Sequence, residues 1–244
     1  MSGRSNDGAG IYSAARNGVR AAWTLPVFIA RHAWRTRDVE RDETETAALS
    51  VDPPEHQHHE RLQPRSRGVG PIVMRTYSVE IADPVVEPDR LMHEFRIDPN
   101  HFVSNLAAAF VRDDRPVRNM RAGDEVVVEL PGPWNGPCTV EVVEDTRVLM
   151  STLAGHMEAG HIAFEVTDAD EVGTYTFRVR SWARAGDAGF ASLHLVVPIG
   201  KELQTAMWCA MCERAVRISG GRRVGPIRAS TETLAGSDTG GGDR

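Results

Sequence analysis

The chain has 244 residues, 41% of them hydrophobic and 25% charged, with a formal net charge of −6. That balance argues against a dedicated nucleic-acid binder, which needs a basic surface for phosphate contacts, and no stretch approaches the ~20 apolar residues that span a bilayer. Three cysteines are too few for a secreted disulfide framework, no signal-peptide pattern opens the chain, and the cytoplasm is the expected compartment.

Residues 1–37 read as a basic extension with one or two short helices over 11–37, divided at Pro26. Arginines beside Trp23, Phe28, Ile29 and Trp34 would let that segment lie on an anionic membrane surface, or pack on the protein's own sheet. Residues 38–70 turn acidic and then rich in Pro and His, so they read as a polar linker with too little apolar surface to offset ordering entropy. The histidines there have no nearby cysteine, and no metal site is expected.

From Ile72 the pattern alternates with period two. The run IVMRTYSVEI predicts a first strand, EPDRLMHEF and DPNHFVSNL predict two short helices entered through prolines, and strands follow at 125–130, 138–145, 147–154, 161–167 and 174–182. Ile162, Phe164 and Val166 share one phase with Tyr175, Phe177 and Val179, while Glu165, Arg178 and Arg180 take the other. One wet face and short turn-rich links predict an antiparallel sheet. From Pro198 the spacing of Leu203, Ala206, Met207, Ala210, Met211 and Ile218 predicts a long helix that stops at Gly220-Gly221. The tail, 221–244, reads as disordered by composition.

Few residues suggest chemistry. The turn from Gly155 to His161 places His156 and Glu158 together, where they could serve as base and orienter or merely bond the turn's own backbone. Trp134 and Asn135 lie in a rigid Pro/Gly-rich link, where an indole and an amide could rim a pocket. Met207 and Met211 are adaptable side chains on the helix's apolar face, and Arg214 could meet an acidic ligand or complement the helix dipole. Cys209 and Cys212 sit inside the helix rather than at its N-terminus, which speaks against redox chemistry. Neither a nucleotide loop nor a Ser-His-Asp order is present, and no cofactor is implied.

The segments PGPWNGPCTVEVVED, STLAGHMEAGHIAFEV and FRVRSWARAGD, with the terminal helix, resemble the domain-of-unknown-function family nineteen-ninety. The Gly155-His156-x-Glu158-x-Gly160 hairpin is the most specific part. This chain has Met157 where that family usually has proline, and His161 where it usually has an acid. The resemblance covers about Ile72 to Ser219. It implies an α+β helix-grip fold of START-like and birch-pollen-allergen-like type over 71–220, a curved antiparallel sheet wrapped on a long C-terminal helix. It also implies a small apolar or lipid-like ligand, since superfamily relatives bind such molecules and some are cyclases. A binding module is therefore the leading expectation. A cyclase- or hydrolase-like enzyme using His156 and Glu158, or a membrane-surface protein docking through 11–37, are the alternatives.

Overall fold

The computed structural model describes residues 38–55, 57–103, 108–129, 135–186 and 196–235, with the backbone alone at 135, 196–201 and 203. The helices expected over 11–37, Trp134 and the side chains of Asn135 and Leu203 therefore lie outside the described residues.

Ten described strands form one large curved sheet: β1 (Val39–Thr46), β2 (Val69–Ala82), β3 (Ala109–Arg112), β4 (Arg115–Pro116), β5 (Glu125–Glu129), β6 (Asn135–Val143), β7 (Arg147–Thr152), β8 (Glu158–Asp168), β9 (Thr174–Ala185) and β10 (Arg222–Leu234). Their spatial order is β1-β10-β2-β9-β8-β7-β6-β5-β3-β4. Two α-helices complete the described core, α1 (Pro88–Ile97) and α2 (Val196–Ser219). Of the expected second short helix, the described residues form a 3-10 turn, Pro99–His101, closed by Asp98 accepting from the Asn100 N–H.

The antiparallel expectation holds for every described pair but one, because β1 runs parallel to β10. Both of these strands correct the sequence reading. Residues 39–46 belong to the stretch read as linker and residues 222–234 to the stretch read as disordered tail. The sheet recruits them through backbone hydrogen bonds, which polar sequences supply as well as apolar ones. On β10, Ile227 and Ala229 are the buried contacts, and Gly225-Pro226, which reads as a turn, falls at a register break between Val224 and Arg228. The long helix is likewise not the last element, since β10 follows it.

The inner face of the sheet holds the main core. In-phase residues Tyr77, Val79 and Ile81 of β2, Phe164 and Val166 of β8, and Tyr175, Phe177 and Val179 of β9 are buried with Met207, Met211 and Ala215 of α2. At one end the core is aromatic: Phe95 of α1 meets Phe102 and Phe110 edge-on, with ring centroids 5.4 and 6.2 Å away, and Trp208 of α2 meets Phe164 at 5.6 Å. Cys209 and Cys212 are buried too, because α2 packs on β2, β9 and β10 and also touches α1. Burial pushes the Cys209 thiol up to about 12 and Cys212 well above its usual value, so neither is a ready nucleophile.

The outer face is not simply wet. Met74, Leu149, Ala163 and Trp182 form a second small core there, covered by Leu49, and the Trp182 indole donates to the Val51 carbonyl at 3.0 Å. Residues 47–55 and 57–67 thus run across the sheet as a strap. Their hydrogen bonds, rather than apolar area, hold them, which is why composition read them as a linker.

Candidate functional site

Two polar clusters lie on opposite faces of the sheet, an inner one on β2, β8 and β9 and an outer one on β6, β7 and β8. The inner one follows from register: Ile162 of β8, Ser181 of β9 and Arg75 of β2 form a row across three strands, followed by Gly160, Ala183 and Val73. Along this face side chains shrink from Phe177 through Val179 to Ser181 and Ala183. A Cβ on Gly160 would lie 1.9 Å from the Trp182 carbonyl oxygen, so the strand pair closes only around glycine. Into this end reach Arg75, whose Nη1 donates to Glu158 Oε1 at 3.2 Å and to Gln204 Oε1 of α2 at 3.1 Å, and Tyr77, whose hydroxyl lies 3.3 Å from Thr205 Oγ1. Burial pushes the Tyr77 phenol up to about 12.

Three donors in this region have no hydrogen-bond partner among the described residues: the buried Ser181 hydroxyl, the buried Trp208 indole Nε1 and the Arg75 Nε. Trp208 stands one helical turn beyond Gln204, and Phe164, which it touches, is the next inward residue after Ile162. The three donors therefore flank the same stretch of the sheet–helix interface. A buried donor without a partner costs on the order of 1–3 kcal/mol, and native proteins keep few of them.

His156 and Glu158 are both here, engaged separately. The His156 Nδ1 accepts the Glu158 backbone N–H at 2.9 Å, which leaves the proton on Nε2, and that nitrogen packs over Gly136. Burial lowers the His156 pKa, so the ring is neutral near pH 7. The Glu158 carboxylate belongs to Arg75 instead. Gln63 of the strap fixes the turn that presents both, its Nε2 donating to the His156 and Glu158 carbonyls at 2.8 and 3.0 Å.

The outer cluster is built differently. A β-bulge between Val140 and Val142 turns Glu141 outward over the Ser151–His161 pair of β7 and β8. Glu141 Oε1 accepts from the Ser151 hydroxyl at 2.6 Å and from the Gln57 N–H at 3.2 Å, and Oε2 lies 3.4 Å from His161 Nε2. Arg65 of the strap donates to His161 Nδ1 at 2.6 Å and to the Pro54 carbonyl at 3.0 Å. Burial alone would raise the Glu141 pKa, but the bonds from His161 and Ser151 hold it below the usual range; burial lowers that of His161. At neutral pH the result is a carboxylate beside a neutral imidazole, both shielded from water.

Of the other sequence candidates, Met207 and Met211 are buried against the inner face. Arg214 donates to the His101 carbonyl at 2.9 Å and so ties α2 to the turn after α1. Asn135 opens β6 opposite Glu129. Sequence reading missed Arg75, Ser181, Gln204 and Trp208. The signal for the first two was present, because each is a polar residue in phase with an apolar strand face. Among the described residues no group of three His, Cys, Asp or Glu side chains is placed to hold a metal, and no helix is long and apolar enough to cross a membrane.

Residues 102–214 match the family described as "Domain of unknown function (DUF1990)", a stretch that contains Glu141, Glu158, Ser181 and Trp208 but neither Arg75 nor the strap. No curated protein matches the chain. Among solved structures it is similar to a START superfamily protein from Mycobacterium smegmatis, at 12% identity and TM-score 0.41 over 61% of this chain and 99% of that one. A hypothetical protein from Helicobacter pylori is 11% identical with TM-score 0.40, covering 70% and 99%. The major latex-like protein 151 of Panax ginseng is 10% identical with TM-score 0.32, covering 54% and 94%. Similarity of this order carries no residue's role across.

Proposed function

We propose that this chain, which carries the DUF1990 stretch, is a binding protein for a small, largely apolar molecule with an oxygen-bearing polar end. The ligand would lie between the inner face of the sheet and α2, in the manner of a helix-grip fold. The observation that carries this reading is the set of buried donors without partners, Ser181 Oγ, Trp208 Nε1 and Arg75 Nε, at the border of an apolar interior. Binding sites combine an apolar lining with a few convergent polar groups. Here all three groups can donate, so the matching ligand offers acceptors: a carbonyl, hydroxyl or carboxylate. Its apolar part would rest on Ile162, Phe164, Met207 and Met211, of which the methionines adapt to irregular shapes. The three described cysteines are unpaired, which supports a reducing compartment such as the cytoplasm.

Native mass spectrometry of the full chain after mild extraction, followed by titration with decanoate and decanol read by tryptophan fluorescence, tests the proposal. A co-purifying adduct or a saturable fluorescence change is expected, weakened at least tenfold, about 1.4 kcal/mol, by Arg75→Met. A chain that carries no adduct and gives no saturable change with either probe overturns it.

A further inference from the structure

The outer face of the sheet carries a second concentration of charge, away from α2. Arg147 of β7, Glu165 of β8 and Arg178 of β9 form one register row, with Arg180 the next outward residue on β9, opposite Ala163. Neighbouring strands lie about 4.8 Å apart, so the three guanidinium groups share one small area. Arg178 Nη1 and Arg180 Nη1 both reach the same oxygen, Glu165 Oε1, each at 3.3 Å. Arg180 also lies over the Trp182 ring, 5.7 Å from its centroid, and donates from Nε to Thr76 Oγ1 at 3.4 Å. The Arg147 Nε is buried and has no hydrogen-bond partner among the described residues.

Three cations therefore face one carboxylate in a largely sheltered place, on a chain whose net charge is −6. The next acid toward Arg180, Glu232 of β10, already binds the Ser50 N–H and hydroxyl of the strap at 2.7 and 2.6 Å. Burial first, and then the neighbouring Arg178 and Arg147, lower the Arg180 pKa against the pull of Glu165 and Glu232. The residues beside the arginines are small: Ala163 opposite Arg180 is fully buried, and Thr76 and Ser78 occupy the adjoining positions of β2. Guanidinium forks bind tetrahedral oxyanions through paired N–H groups, and a dianion would balance the excess of two positive charges.

We propose that Arg147, Arg178 and Arg180 form a binding site for a phosphomonoester-type oxyanion on the outer face of the sheet. The group could belong to a soluble phosphate ester or to a lipid headgroup. The site lies on the face away from α2 and does not rest on the ligand reading proposed for the inner face.

Calorimetric titration of the full chain at constant ionic strength tests it, with inorganic phosphate, glycerol 3-phosphate, and phosphatidylcholine vesicles with and without phosphatidic acid. Saturable binding is expected, weakened at least tenfold by Arg147→Gln and by Arg178→Gln, with the melting temperature in phosphate-free buffer unchanged or raised. Binding of the soluble phosphates but not of the phosphatidic acid vesicles assigns a free ester. Vesicle binding lost in the same variants assigns a headgroup. Saturable binding to none of these probes, or equal binding by wild type and variants, overturns the site.

Discussion

Strands β8 and β9 separate two polar clusters by the thickness of one sheet, and the two are finished in opposite ways. Outside, Glu141 is bonded by Ser151 and Gln57 and lies against His161, which receives Arg65, all under the strap. Inside, Arg75 is held by Glu158 and Gln204, but its own Nε, the Ser181 hydroxyl and the Trp208 indole are buried without a partner among the described residues. A closed network contributes a fixed structure. Buried donors left open cost stability unless something else fills them, and that asymmetry separates a structural clasp from a binding site.

The comparison is broken most directly at Glu141. Glu141→Ala removes one partner from a cluster that is almost wholly buried and leaves His161 and Arg65 to be resolvated under the strap. The Ser151 hydroxyl and the Gln57 N–H lose their acceptor and His161 Nε2 its neighbouring carboxylate; at ~1–3 kcal/mol for each buried group left unsatisfied the loss should reach about 3–5 kcal/mol, so thermal unfolding should begin ~10 °C lower in a chain of this size. Hydrogen exchange of the amides of 57–65 should rise with it. An unchanged melting curve would show that the strap is not clasped by this carboxylate.

Next in size is the response to pH, which sets His161 of the outer cluster against Tyr77 of the inner one. The pKa values of His161 and His156 are lowered from 6.5 by burial, so below about pH 6.5 the unfolded chain takes up more protons than the folded one, and stability falls on acidification. Glu141, held below 4.5, adds a further loss as pH drops past that value. On the inner side, burial raises Tyr77 from 10 to about 12 and Cys138 from 9 to about 12. Their contribution is complete below pH 9 and disappears as pH rises toward 12. The acid limb should flatten in His161→Gln and the alkaline limb in Tyr77→Phe, as read by melting temperature against pH. If each variant moved the opposite limb, the division between faces would fail.

Smaller again is the link between the clusters. Gln63→Ala removes two donors to the carbonyls of His156 and Glu158 and the acceptor for the Gly155 N–H. It should cost ~1–3 kcal/mol and weaken decanoate binding as Glu158 loses its fixed place beside Arg75. A variant with lower stability but unaltered affinity would uncouple strap from site.

These outcomes bear on how much of the molecule could be read from its sequence. Alternation located β2 and β5 to β9, because Tyr175, Phe177 and Val179 bury one phase and Arg178 and Arg180 keep the other. Helical spacing located α2. The edge strands β1 and β10 escaped because backbone ladders do not need apolar side chains, and β3 and β4 because Asp113-Asp114, both at positive φ, make a hairpin without the usual glycine. The turn bearing His156, Glu158 and His161 was found, but period two sends Glu158 inward and His161 outward, so a group that looks like one site in sequence serves two. Arg75 and Ser181 were visible as polar residues in an apolar phase. What hid their role was the third dimension, where Gln204 and Trp208 of α2 come to face them.

The smallest effect on stability should come from Ser181, and it is the most telling. Its hydroxyl is buried, bonds nothing among the described residues, and lies between Arg75 and Ile162 in the middle of the inner row. Ser181→Ala deletes one oxygen and leaves the row's packing unchanged. Because the hydroxyl has no partner to lose, the substitution should not lower stability and should tend to raise it. Affinity for an oxygen-bearing amphiphile should nevertheless drop several-fold while a purely apolar probe binds as before. Loss of stability without loss of affinity would mean that the hydroxyl serves the fold, and the contrast between the two faces would have to be drawn on Arg75 alone.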